Sequence, residues 1–240
     1  MLKRILIIAT AFFIFNSNLA QPPKNAVIVY NQGITFMNKE KYPDAMASFF
    51  KAIKLYKNYD SAYFQMANIN LKFRSIDTAI SFYKKALEIN PKFLPAAFSL
   101  AFIYRNTKND VGTSLAYYLK ALSIDTANKE AMIGAAWCYN TKQQYDLAIS
   151  YAVKALAIDN NDRGAYGELG HAIHLSGKFQ EGIAQFKKNI AVSPHELPMY
   201  YCGLCYIELK DKAGALSMYD ELKKISSNMA DALKKRIDKM

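Results

Sequence analysis

Residues 63–73, YFQMANINLKF, and residues 77–91, DTAISFYKKALEINP, are two apolar-patterned stretches joined by a three-residue link. In the second stretch Ile80, Tyr83, Ala86 and Leu87 recur at three- and four-residue intervals, the spacing that puts side chains on one face of an α-helix. Pro91 cannot continue that helix, and Asn90 before it suits a turn. The two stretches therefore read as a helix pair folded back on itself. The same pair recurs along the chain. Gly33, Ala67, Ala101, Ala136, Gly170 and Gly203 are separated by 34, 34, 35, 34 and 33 residues. Three further series keep nearly the same step: Ala45, Ala79, Ser114, Ala148, Gly182, Ala215; Ala52, Ala86, Ala121, Ala155, Asn189, Leu222; and Phe49, Tyr83, Tyr118, Ala152, Phe186, Tyr219. Four registers in agreement make the chain a repeat of helix pairs.

The residue types explain why such a pattern folds. Antiparallel helices approach closely where side chains are short, and the aromatic series fills the gaps beside them. One pair cannot bury both of its faces, so neighbours must stack into a continuous core. The expected fold is all-α: an α-solenoid of six antiparallel helix pairs over residues 26–227, with a capping helix over residues 228–240. In that last segment Met229, Leu233 and Ile237 recur every four residues, and Lys234, Lys235, Arg236 and Lys239 supply a charged outer face.

Composition agrees with an ordered chain and narrows its setting. Of 240 residues 52% are hydrophobic and 21% charged, which excludes a disordered or low-complexity protein. Residues 1–20 carry Lys3 and Arg4, an apolar run from Ile5 to Phe15, and the polar Asn16 to Asn18 before Ala20. That run is about half of the roughly 20 apolar residues a spanning helix needs, so the segment reads as a secretory signal peptide cleaved after Ala20. The expected location is periplasmic or secreted, with no membrane insertion of the mature chain. Residues 21–25, with Pro22 and Pro23, read as a linker. Three cysteines in an exported chain are too few and odd in number for a disulfide framework.

The 34-residue period, the two stretches quoted above and residues 165–194, AYGELGHAIHLSGKFQEGIAQFKKNIAVSP, resemble tetratricopeptide repeat proteins. The resemblance implies a right-handed superhelix whose first helices line a concave groove. It assigns partner contact to Tyr30, Ile34, Phe64, Asn68, Phe98, Phe102, Arg105, Ile133, Trp137, His171, His174 and Tyr200. Most of these are aromatic or aliphatic, and Trp137 is the foremost anchor among them. The cationic clamp with which some family members grip carboxylate tails is missing, since Tyr30, Ile34, Gln65, Pro95 and Ser99 occupy its places. The implied function is an exported, non-catalytic adaptor binding a protein or peptide segment in the groove. The alternative is a self-associating structural subunit of a cell-envelope assembly.

Chemistry has little to stand on. Cys202 and Cys205 have C-x-x-C spacing but fall inside a helix that follows no strand, so they read as packing residues. His171 and His174 lie one turn apart, yet two ligands make no metal site. No phosphate-binding loop or nucleophile elbow occurs, and no catalytic residue, cofactor or metal is expected. The net charge of +11 includes Lys51, Lys85, Lys120, Lys154 and Lys188, one per pair toward the end of a second helix. Helix-end placement would account for them through the dipole, with no nucleic-acid partner required.

Overall fold

The computed structural model describes residues 21–225 and 228–240; the leader assigned to residues 1–20 lies outside the described residues. The chain divides after Pro91 into two compact units. In the first, α1 (Lys24–Asn38) and α2 (Tyr42–Leu55) form one antiparallel pair, and α3 (Asp60–Lys72) and α4 (Ile76–Ile89) the next. The second unit holds α5 (Leu94–Asn106) with α6 (Val111–Ile124), α7 (Lys129–Thr141) with α8 (Tyr145–Ile158), α9 (Arg163–Ser176), α10 (Phe179–Val192), and α11 (Glu196–Glu208) with α12 (Lys212–Lys224). An extra helix, α13 (Asn228–Ile237), packs on both α11 and α12.

The helix boundaries follow local chemistry. Asp110, Asn128, Asp162 and Asp211 each accept a hydrogen bond from a first-turn amide, at Thr113, Ala131, Ala165 and Gly214. These caps satisfy donors that a helix start leaves unpaired. Between first and second helices the chain turns through a single left-handed residue: Glu40, Arg74, Asn109, Gln143, Gly177 or Lys210. At Glu40 the following amide of Lys41 returns to the Phe36 carbonyl at 2.9 Å, the six-to-one bond of a Schellman stop. Second helices end at the small-residue series, with the carbonyls of Ala52, Ala86, Ala121, Ala155 and Asn189 accepting the closing bond.

Packing uses the small residues as the periodicity requires. Ala45, Ala79, Ala148 and Ala215 are fully buried, and the Ser114 hydroxyl is accommodated by donating to the Ala101 carbonyl at 2.9 Å. A Cβ at Gly33 would stand 2.6 Å from the Phe49 ring, and one at Gly134 would stand 2.3 Å from Tyr118. The core of the first unit centres on Phe49, Ala62 and Met66, and that of the second on Tyr166, Leu169, Phe186 and, under α13, Leu222 and Leu233. Asn189, standing in the series of small apolar residues, is buried within a polar network. Its Oδ1 accepts from Gln185 Nε2 and its carbonyl accepts from Asn160 Nδ2.

The repeated lysines need one correction. Lys51, Lys85, Lys120, Lys154 and Lys188 sit four residues before their helix ends, so only Lys54 of α2 and Lys223 and Lys224 of α12 occupy a final turn among the second helices. Because the dipole's pull fades within the last turn, solvation of an outer face is the stronger reason for these charges.

Candidate functional site

In the first unit the expected contact residues are largely engaged with neighbouring side chains of the same unit. Tyr30 stacks on Tyr59 at 4.9 Å and tilts onto Phe49 at 5.5 Å, while Gln65 Nε2 donates to its phenol oxygen at 3.5 Å. Burial pushes the Tyr30 phenol above its ordinary pKa. Phe64 leans on Tyr83 at 5.5 Å, and Tyr83 donates its hydroxyl to Asn68 Oδ1 at 2.5 Å. Asn68 Nδ2 in turn donates to Gln65 Oε1 at 3.1 Å. Ile34 packs half-buried beside the same core.

In the second unit Phe98 meets Tyr118 edge-on at 5.9 Å, and Phe102 is 52% exposed. The Arg105 guanidinium lies 4.4 Å from the centre of the Trp137 ring, so the indole presents its face to a cation. Burial also raises the Tyr118 phenol, against the lowering pull of the Arg105 guanidinium hydrogen-bonded to it. Arg105 thus ties α5, α6 and α7 together. Ile133 packs against the central core, and Tyr200 lies edge-on to Tyr201 at 5.8 Å.

His171 and His174 line a cleft of about 340 Å³ bounded by α9, α10, α11 and α13. Its apolar walls come from Ile173, Phe179, Phe186 and Leu204, and its polar groups from the two histidines, Glu208 and Arg236. His174 Nδ1 stands 3.7 Å from Glu208 Oε1. The cleft exists because α9 and α10 touch only sparsely, unlike the other helix pairs, and the Tyr201 ring of α11 fills part of the space between them. Tyr201 stacks on Tyr166 at 6.5 Å and on Phe186 at 5.8 Å. A Cβ at Gly170 would lie 2.3 Å from the Tyr201 ring, so only glycine leaves room for the insertion.

Reasoning from sequence missed Gly167, Tyr201, Glu208 and Arg236. One signal was present: Gly167 interrupts the bulky series Tyr30, Phe64, Phe98, Ile133 and Tyr200 in the same register. Nucleophilic chemistry finds no support in the cysteines. Cys202 and Cys205 are buried, and burial pushes their thiols up to about 11 and about 12. Among the described residues no group of three histidine, cysteine or acidic side chains is placed to hold a metal, and no helix is long and apolar enough to cross a membrane.

The tetratricopeptide repeat family profile matches residues 60–93 and 130–162. BBSome complex member BBS4 of Bos taurus is 23% identical over 212 residues, covering 85% of this chain and 39% of its own length. The chain thus spans well under half of that relative. Among solved structures, PilW, a type IV pilus biogenesis factor, aligns at a TM-score of 0.55 with 21% identity, over 88% of this chain and 99% of PilW. YrrB, a tetratricopeptide repeat protein with an unusual peptide-binding site, aligns at 0.59 with 25% identity, over 78% of this chain and 97% of YrrB. The paired antiparallel helices, the extra terminal helix and these likenesses give the chain the tetratricopeptide repeat fold.

Proposed function

We propose that this chain is an exported scaffold subunit of a cell-envelope assembly, joined to copies of itself or to neighbouring subunits through apolar side chains on its helix surfaces. The carrying observation is a group of large apolar side chains left in solvent in the second unit, among them Phe102 at 52% exposure, Ile158 at 50%, Leu175 at 48% and Val192 at 72%. Contiguous apolar surface marks a contact with another protein, and the reading takes these side chains as parts of such surfaces. The likeness to a pilus biogenesis factor supports this reading, and the charged and apolar pattern of residues 1–20 supports a periplasmic or secreted location. The reading takes residues 26–227 as six repeats, with the family's right-handed coiling within each unit, and residues 228–240 as the cap. Sedimentation of the chain lacking residues 1–20 over a hundred-fold concentration range tests it. Growth of a dimer or higher species is expected, weakened by Phe102→Ala or Val192→Asp. A monomer at every concentration removes self-association.

A second reading has its own observation. The Arg105 and Trp137 pair and the nearby Phe102 form an amphipathic surface on first helices, and YrrB, of the same fold, has a peptide-binding site. On this reading a peptide or protein segment lies along the first helices. Trp137 emission during titration with peptides from envelope proteins follows it, and a response abolished by Phe102→Ala is expected.

A further inference from the structure

The cleft in the fifth helix pair has a specific origin. In the first, second and third pairs, a bulky side chain of the first helix covers the aromatic ring of its own second helix: Tyr30 on Phe49 at 5.5 Å, Phe64 on Tyr83 at 5.5 Å and Phe98 on Tyr118 at 5.9 Å. In the fifth pair the second-helix ring is present as Phe186, but the covering position holds Gly167. A Cβ built on Gly167 meets nothing within 4 Å. Tyr201 reaches Phe186 from the neighbouring helix, and about 340 Å³ remains open beside it. The hole therefore lies where the repeat elsewhere places an aromatic or branched aliphatic side chain.

Its mouth carries a directional charge. Glu208 Oε1 stands 3.7 Å from His174 Nδ1 on one side of the lining, whereas Arg236, brought in by α13, has no acidic partner among the described residues. Arg236 is thus the cation open to an acidic group on a ligand, beside apolar walls. A pocket of a few hundred Å³ with apolar walls and a few polar groups at its rim is the usual form of a selective binding site.

We propose that this cleft is a docking hole for one bulky apolar side chain, of phenylalanine or leucine size, in a partner peptide that carries a carboxylate beside that side chain. The partner supplies the side chain that Gly167 withholds, and Arg236 meets the acid. The proposal deepens the peptide-capture reading and rests on it, but it places the specificity in α9 to α11 and α13 and not at Trp137.

Fluorescence anisotropy of the full chain with labelled hexapeptides tests it: Gly-Ser-Asp-Phe-Asp-Gly, the same peptide with Ala for Phe, and the same peptide with Lys for both Asp. The acidic Phe probe is expected to bind at least ten-fold more tightly than either control. Gly167→Leu, which sends a side chain into open space and leaves the fold intact by helical circular dichroism, should remove that binding. Arg236→Glu should invert the preference toward the lysine probe, and Leu147→Ala, an exposed site on α8 outside the cleft, should leave it unchanged. Equal binding of all three probes, or full binding by Gly167→Leu, overturns the cleft. Loss on Trp137→Ala with retention on Gly167→Leu overturns it too, while leaving peptide capture along the first helices standing.

Discussion

Tyr201 stacks on Phe186 with ring centroids 5.8 Å apart and planes inclined by 22°, so that a residue of α11 covers the ring of α10 in place of one from α9. The exchange depends on two glycines one turn apart on α9 with opposite surroundings. Gly170 is pressed against Tyr201, and Gly167 faces open space.

The pair predicts opposite effects of the same substitution. Gly167→Ala adds a methyl group without a clash and removes the conformational freedom of a helical glycine, so stability should rise by about 0.5–1 kcal/mol. Gly170→Ala drives a Cβ into the Tyr201 ring and should lower stability by about 1–3 kcal/mol, the range for overpacking. Urea denaturation of the two variants reads both signs directly.

The turns make a second pair of opposites. Gln143 holds φ 58° and Gly177 holds φ 70° at equivalent turns. A side chain in this left-handed region costs roughly 1 kcal/mol relative to glycine. Gln143→Gly should raise the thermal midpoint, and Gly177→Ala should lower it.

Much of this architecture was legible because it is periodic. Four residue series in step are enough to place Ala86 against a neighbouring helix and to end α4 before Pro91, since helix packing and proline sterics act locally. The left-handed turns were less legible: Glu40, Arg74, Asn109, Gln143 and Lys210 are not glycine, and the closing hydrogen bonds tolerate them. The division after Pro91 leaves no mark in composition. The candidate site was half legible. His171 and His174 follow from register, and Gly167 is visible as a gap in a bulky series. Arg236 is not, because its arrival at the cleft depends on how α13 docks some 60 residues later in the chain.

That docking predicts a third result. A Cβ at Gly203 would lie 2.6 Å from Leu233 Cδ2, so α13 sits directly over the glycine of α11. Gly203→Val should lift α13 from its seat, and Leu233→Ala, which empties a fully buried position, should cost about 2–5 kcal/mol. Both variants should increase amide hydrogen exchange in residues 228–240 more than in α7 and α8. Uniform acceleration would show that the helix is no separate cap.

The buried cysteines contribute to the loss of stability at alkaline pH. An unfolded thiol loses its proton near 9, while burial holds Cys202 to about 11 and Cys205 to about 12; the nearby Lys187 opposes the first shift and the Cys202 sulfur adds to the second. Both shifts are upward for groups that are neutral when protonated. Below about 9 folded and unfolded chains carry the same thiol protons, and the stabilisation is complete. Above it the unfolded chain releases protons that the folded chain keeps, so unfolding becomes progressively easier as pH rises toward the folded values. The urea midpoint should therefore be level between pH 7 and 8.5 and fall from pH 9 to 11. Cys202→Ala with Cys205→Ala should start lower, because two buried side chains are trimmed, but should decline less steeply. Thiol reagents at pH 8 should label the native chain slowly and the urea-unfolded chain at all three cysteines. An alkaline slope unchanged in the double variant would move its origin to buried phenols such as Tyr166, which burial pushes up to about 12.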